Sequence, residues 1–565
     1  MPRFPLAAPL LGATLLTLAA GCSTAPVRPT ALPAAIDVPA VAHPQGETPA
    51  WWYRSGAAHA AANGAMGGRA KNVIVFLGDG MSLTTVAAAR ILEGQRNGRP
   101  GEENLLSWER FPHTAFSKTY NTDSQTPDSA GTMTAITTGI KTHMGAIGVA
   151  AGDRHDCAGS LGKHLLTWLQ LADSAGLATG IVTTARLTHA TPAATYAHVP
   201  DRNWESDADL PPQAVEQGCR DIARQLLDTS RFGRGPMLAL GGGRAEFMPA
   251  SQRDPEHDDK VGKRLDGRDL IAEWKTAHPG GHYVWNAAQL AAAPADAPLL
   301  GLFERDHMLF EHDRRRAPDG EPSLAEMTRT AIARLSRHRD GYVLMIEGAR
   351  IDHANHYGNA YRALDETIAM SDAVRAAVEA TSREDTLILV TADHSHTLNF
   401  VGYPVRGNPI LGKVRGQGSE DDTPGEFARD QHGLTYTTLS YANGPGHTGA
   451  SNRQPAGSKR FLHAPSAVEP AEGRPDLSQV DTEHPDYLQE ALVPLKSESH
   501  GGEDVGIWAI GPGSEAVRGT VEQNVIYHWI VQAAPKLRER LCKAGTCNAD
   551  GVPVDLPRQA DFENR

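Results

Sequence analysis

Five apolar runs punctuate the chain, and each borders a polar cluster able to do chemistry. "NVIVFLGDGMS" ends at Asp79, and "ATGIVTTARLTHATP" ends at His189 and Thr191. "GYVLMIEGARIDHANH" ends at Glu347, Asp352, His353 and His356, and "DTLILVTADHSH" at Asp393, His394 and His396. "DVGIWAIGPG" follows His500 directly. Between these runs lie stretches such as "GKHLLTWLQLADSAG" and "YRALDETIAMSDAVRAAVEAT", whose apolar residues recur at three and four positions, as on one face of a helix. Continuous apolar strands alternating with helices predict an α/β fold. It is a three-layer sandwich whose central, mostly parallel sheet is flanked by helices. Sheets of this kind bind ligands beyond the carboxyl ends of their strands. The polar clusters sit at those ends, so one shared site is expected.

The rhythm breaks over residues 405–490, where "GQGSEDDTPGEFARDQHG" and "GASNRQPAGSKRFLHAPSAVEPAEGRPD" are polar, Gly/Pro-rich and irregular. This span reads as a surface insertion in the domain. The strand-like "LTYTTLSYANG" inside it favours an ordered subdomain.

The N-terminus changes the compartment. Arg3 precedes an apolar run ending in "LAAGC", a secretory signal of the lipoprotein type over residues 1–21, with Cys22 as the lipidated residue. Residues 22–48 are rich in Ala and Pro without period, as a tether would be. The folded catalytic domain is expected over 49–545, with a polar tail over 546–565. Such a protein is exported and membrane-anchored, facing the periplasm or cell exterior. Four further cysteines in an oxidising compartment suggest two disulfides. Cys542 and Cys547 can close a small loop, which leaves Cys157 to pair with Cys219. A net charge of −13 without a basic run argues against nucleic acid as a specific partner.

The chemistry-bearing residues are oxygen and imidazole donors. Asp352 and His356 are four apart and share a face if a helix starts there. Glu347 ends the strand before them, and Asp393 and His394 follow another strand directly. Carboxylate with imidazole suits Zn²⁺, whereas Mg²⁺ prefers oxygen donors alone. Spacing does not divide the ligands among ions. Ser129, in "QTPDSAGTMTAITTG", resembles a nucleophile at a helix start, yet no histidine lies near it and G-x-S-x-G is absent. A serine hydroxyl is a poor nucleophile unless something activates it.

"IVFLGDGMS", "TPDSAGTMTAITTG", "THATPAATYAHVPDRNWESDAD", "IEGARIDHANHYGNAYRALDET", "LVTADHSH" and "SESHGGEDVGIWAIGP" resemble, in order, the motifs of the alkaline phosphatases. "ALGGGRAEF", "RLDGRDLIAEW", "YVWN" and "GLFERDHM" are similar to the animal-type branch. The resemblance implies hydrolysis of phosphate monoesters at alkaline pH through a phosphoserine on Ser129, with broad leaving-group specificity. It implies two Zn²⁺ and one Mg²⁺. Asp352, His356 and His500 would hold the first zinc, and Asp79, Asp393 and His394 the second. Asp79, Thr191 and Glu347 would hold magnesium, with His189 touching it through water. Arg202 would grip phosphate, aimed by Asp128, and His396 would lie just outside the ligand shell. Glu256, the Phe303 carbonyl, Glu304 and Asp319 fall where the animal enzymes hold Ca²⁺. The insertion resembles the crown of that family's homodimer, so a homodimer is implied. Two rival readings are a phosphodiesterase of the same superfamily and a non-catalytic lipoprotein that binds metal or phosphate. Sulfatases are set aside because Cys/Ser-x-Pro-x-Arg is absent around Ser129.

Overall fold

The computed structural model describes residues 35–152, 154–316, 320–417, 425–430, 432–447, 459–460 and 474–564. Cys22 and Asp319 lie outside the described residues. The strands of the main sheet are β1 (Asn72–Gly78), β2 (His113–Lys118), β3 (Ala178–Arg186), β4 (Leu238–Gly242), β5 (His282–Val284), β6 (Leu299–Leu302), β7 (Tyr342–Gly348), β8 (Thr386–Ala392), β9 (Val505–Ile510) and β10 (Gly519–Glu522). Their order is β10-β2-β9-β8-β1-β7-β3-β4-β6-β5. Only β9 runs against its neighbours β8 and β2; the other adjacent pairs are parallel.

The helices used below are α1 (Pro49–Ala62), α2 (Leu83–Arg96), α3 (Ser129–Thr138), α4 (Trp168–Ser174), α5 (Ala190–Ala193), α6 (Leu324–Leu335), α7 (Arg350–His356), α8 (Ala360–Ala380) and α9 (Val525–Ala533). Strand β1 shows why the runs are apolar throughout. Val73, Val75 and Leu77 enter a core with Tyr53, Trp168 and Trp529. Ile74 and Phe76 enter a second core with Val86, Met327 and Leu364. Side chains alternate between faces, and helices cover both, so no position needs a polar residue. Burying each such side chain contributes roughly 1.5–3 kcal/mol.

Helix α8 matches the periodic stretch at 361–381 to within a residue. The other stretch is only partly helical. Helix α4 begins at Trp168 because the Thr167 hydroxyl accepts from Gln170 N–H, a capping box that fixes the start. His164, earlier in that stretch, instead pairs with Val149 in an isolated bridge.

Both disulfides form as expected, Cys157–Cys219 and Cys542–Cys547. Within the insertion, Leu439–Gly444 pairs with Leu398–Phe400 and Ala491–Pro494 in a three-stranded sheet. Tyr441 Oη donates to Asn355 Oδ1 at 2.7 Å, and Gln489 Oε1 accepts from Ala360 N–H at 2.7 Å. The insertion is thereby fastened to α7 and α8.

The described residues toward both ends lie closer to the fold than composition suggests. Trp51 Nε1 donates to the Pro39 carbonyl at 2.7 Å, and Ile36 packs on the Ala57, Ala61, Val552 and Val554 cluster, so the later part of the 22–48 stretch rests on α1. Residues 546–564 also pack: Phe562 is buried in the main core. Its few apolar residues are spaced too irregularly to signal an element. No helix among the described residues is long and apolar enough to cross a membrane.

Candidate metal centre and nucleophile

The carboxyl ends of β1, β7, β8 and β3 supply Asp79, Glu347, Asp393 with His394, and His189 with Thr191. These neighbouring strands bring together residues that the sequence separates by hundreds of positions. Gly80 allows the approach. It takes φ +64°, and a Cβ there would stand 2.2 Å from His396 Cδ2.

Asp352, His356 and His500 converge. Helix α7 puts Asp352 and His356 on one face, as the spacing predicts. Asp352 Oδ1 is 3.4 Å from both His356 Nε2 and His500 Nε2, and the two Nε2 atoms are 3.2 Å apart. Ligand atoms about 2.0–2.2 Å from one tetrahedral zinc are separated by roughly these distances. The far nitrogens are anchored: His356 Nδ1 lies 2.5 Å from the Glu498 carbonyl and His500 Nδ1 2.7 Å from the Pro127 carbonyl. Each Nδ1–H therefore donates to a carbonyl, and the Nε2 lone pair points to the shared centre.

Asp79, Asp393 and His394 form the second set. His394 Nε2 is 3.4 Å from Asp79 Oδ1 and 3.3 Å from Asp393 Oδ2. Asp393 Oδ1 is occupied by the N–H groups of Gly80 and His394, which leaves Oδ2 for the site. Ser129 Oγ stands at the remaining corner, 3.1 Å from His394 Nε2 and 3.5 Å from Asp79 Oδ1.

Unpaired buried atoms mark the third set. Asp79 Oδ2, Thr191 Oγ1, Glu347 Oε1 and His189 Nδ1 are buried without a hydrogen-bond partner. Such groups cost free energy unless something satisfies them. The lone-pair donors facing one another are two carboxylates and a hydroxyl, a set that fits a cation. His189 Nε2 accepts from Arg202, so its Nδ1 carries hydrogen and can donate to a group bound by that cation. Thr183 Oγ1 donates to the other Glu347 oxygen at 2.5 Å.

The protonation tendencies agree with a site built for cations. Burial and the neighbouring Asp393, Asp352 and Glu347 push Asp79 well above the usual carboxylate range. Burial pushes Glu347 up to about 8 despite the Thr183 hydrogen bond. Burial holds the His394 ring neutral, the form that ligates metal.

Asp128 caps α3, accepting from Gly131 N–H at 3.1 Å. It also accepts from Arg202 Nη1 at 3.0 Å, Asn121 Nδ2 and Gly145 N–H. Burial alone would raise its pKa, but Arg202 and these backbone donors bring it below the usual value. Arg202 Nη2 reaches His189 Nε2 at 3.1 Å.

His396 lies beside the Asp352, His356 and His500 set with both nitrogens engaged: Nε2 is 2.6 Å from Asp352 Oδ1 and Nδ1 2.5 Å from Glu498 Oε2. Burial opposes its charge, yet Glu498 and Asp352 outweigh burial and raise it to about 10. Glu498 is absent from the expected residues. Its signal was its place two residues before His500, which puts both on one side of an extended segment.

The expected calcium residues are partly engaged elsewhere. Glu256 Oε2 accepts from Arg244 Nη2 at 2.8 Å, and Glu304 Oε1 from His257 Nε2 at 3.1 Å. Glu321, two positions beyond Asp319, is buried and raised to about 8 by burial, with Glu304 and Glu256 adding to the effect.

Comparison with known proteins matches residues 70–536 to the family model for alkaline phosphatase. The tissue-nonspecific alkaline phosphatase of Gallus gallus is 43% identical over 474 residues, 82% of this chain and 84% of that protein. The Homo sapiens isozyme is 42% identical over the same shares. Among solved structures, Thermus thermophilus alkaline phosphatase superimposes with a TM-score of 0.56 at 25% identity, covering 83% of this chain and 92% of that one. Alkaline phosphatase from the Antarctic bacterium TAB5 gives 0.53 at 20% identity, covering 83% and 99%, a likeness of fold.

Proposed function

Because the chain belongs to the alkaline phosphatase family and is a phosphomonoesterase, we propose that Ser129 is its nucleophile, working beside two zinc ions and one magnesium ion. The observation that carries this reading is Ser129 Oγ at the open corner of the Asp79, Asp393 and His394 set. Asp352, His356 and His500 would hold one zinc and the Asp79 set the other. Asp79, Thr191 and Glu347 would hold magnesium, with His189 behind it. When bound, the ions supply positive charge at the attacking and leaving oxygens and favour the ionised hydroxyl.

The chain's own residues do the positioning. Ser129 sits in the first turn of α3, where free backbone N–H groups and the helix dipole favour a phosphoryl group. Its Oγ forms a bond to phosphorus as the bond to the leaving oxygen breaks in line. Arg202, held by Asp128, donates to two non-bridging oxygens, a geometry that lysine lacks. Water then displaces the serine oxygen and releases inorganic phosphate. His396, doubly bonded between Glu498 and Asp352, fixes the Asp352 carboxylate. These contacts hold the phosphoryl group, which favours broad leaving-group specificity at alkaline pH.

Three finer readings accompany this one. Glu256, Phe303 and Glu304 form a calcium site, and the cluster of carboxylates favours Glu321 as its further ligand. The "LAAGC" sequence supports an exported lipoprotein anchored through Cys22. A homodimer is the assembly that the resemblance implies. Metal analysis of purified protein tests the metal assignments together. Wild type should carry two zinc, one magnesium and one calcium ion per chain. Glu347→Gln should lose magnesium alone and Glu321→Gln calcium alone. Unchanged metal content in a variant contradicts the site it probes.

A further inference from the structure

Helix α7 presents two functional faces. Asp352 and His356 form one. Arg350, His353 and Tyr357, spaced three and four apart, form an adjacent stripe. Arg350 and Tyr357, the segment from His307 to Arg316, and Arg362 wall a cavity of about 490 Å³.

Its charges are unevenly matched. Arg362 is bonded by Asp313 and Asp486, which are themselves the carboxylates of the wall. Neither Arg316 nor Arg350 has a carboxylate within 4.0 Å among the described residues. The Arg350 guanidinium lies 3.8 Å over the Phe310 ring, and its Nε has no hydrogen-bond partner. This largely buried guanidinium feels Glu366, Glu321 and Asp306 only from beyond 4.0 Å, and its unpartnered Nε leaves hydrogen-bonding capacity that an anion can use.

The cavity adjoins the reacting centre. The His307 ring is 4.1 Å from that of His353 and 5.2 Å from that of His189, and His189 touches Arg202. The nitrogens of these three histidines come within 4.8 Å of one another, a spacing open to a metal ion. A guanidinium faces each ring, however: Arg202 at His189, Arg186 at His307 (2.8 Å) and Arg350 at His353 (3.1 Å). Three cations around the trio oppose a fourth. Arg202 and Arg186 are already paired with Asp128, Glu205 and Asp306, so Arg350 and Arg316 are the guanidinium groups left to meet an anion.

We propose that this cavity is a second anion subsite, which takes a second phosphate carried by the leaving group. The inference rests on the phosphomonoesterase reading and narrows it. Preferred substrates are bisphosphates whose two phosphates are separated by several bonds. With one phosphoryl group on Arg202, the other would lie against Arg350 and Arg316, on the far side of the contacting His307 and His353 rings.

Hexyl phosphate and hexanediol bisphosphate form a matched pair of probes. Wild type should show a higher kcat/KM on the bisphosphate, with the gain in KM and diminished by added salt. Arg316→Glu, at an exposed position, should lower the ratio of the two kcat/KM values about fivefold. Arg350→Gln should lower it about tenfold, with hexyl phosphate turnover reporting whether the fold and centre survive. Equal kcat/KM on both probes in wild type, or a ratio untouched by Arg316→Glu, overturns the subsite. Absence of hydrolysis of hexyl phosphate itself would instead count against the phosphatase reading.

Discussion

Ser129→Ala lowers turnover of p-nitrophenyl phosphate by at least about a thousandfold while leaving metal content unchanged. The substitution removes one oxygen from a residue that is 2% exposed and adds no bulk. The start of α3 does not depend on that oxygen, because the cap is the Asp128 side chain. Nor does the ligand frame: Asp393 Oδ1 is held by two backbone N–H groups, and His394 Nδ1 faces the Ser395 carbonyl. The variant therefore keeps a cation-binding pocket and loses the atom at its open corner. Direct attack by water on the bound ester is the remaining route. Retention of activity within tenfold of wild type, with a normal metal load, would remove Ser129 from the mechanism.

Chelation should abolish activity and destabilise the protein, with a pH dependence set by the same carboxylates. Glu347 is raised from 4.5 to about 8, and His396 from 6.5 to about 10, so the folded metal-free protein binds more protons than the unfolded chain above pH 6.5. Stability falls with rising pH wherever the folded state holds the extra protons. The Glu347 carboxylate is unfavourable in the fold as it ionises toward pH 8, and the favourable His396 charge starts to be lost. Histidines held neutral by burial, such as His394, contribute no slope above 6.5, where the unfolded ring is also neutral. Bound cations reverse the Glu347 penalty. Thermal melts at pH 6.5 and 8 should thus show the gap between metal-loaded and EDTA-treated protein widening with pH. Activity should return with zinc and magnesium. A gap that stays constant, or activity that survives EDTA, contradicts the account.

Much of this architecture is legible because strand burial and ligand placement share one cause. A strand covered on both faces is apolar until it leaves the sheet, so the first polar residues after β1 and β8, Asp79 and Asp393, mark the sheet's carboxyl edge. The resemblance then assigned the donors to ions, a division that spacing left open. What escaped the sequence lacks periodicity. Glu498 matters through a contact with His396, 102 positions away. Arg350 and His353 lie among the proposed ligands Asp352 and His356, but their face of α7 gains meaning only beside His307, brought in by the segment after β6. The packing of residues 546–564 depends on a few isolated apolar side chains, Val552, Val554 and Phe562, which no pattern distinguishes from exposed ones.

The central claim is that distant acids and histidines make Ser129 reactive. Acid quenching after brief exposure to radiolabelled phosphate, followed by peptide mapping, tests it most directly. The account predicts label on Ser129, in the peptide containing "TPDSAGTMTAITTG", present in zinc-loaded protein and absent after EDTA. Label on another residue, or label on Ser129 that forms equally without metal, would contradict it.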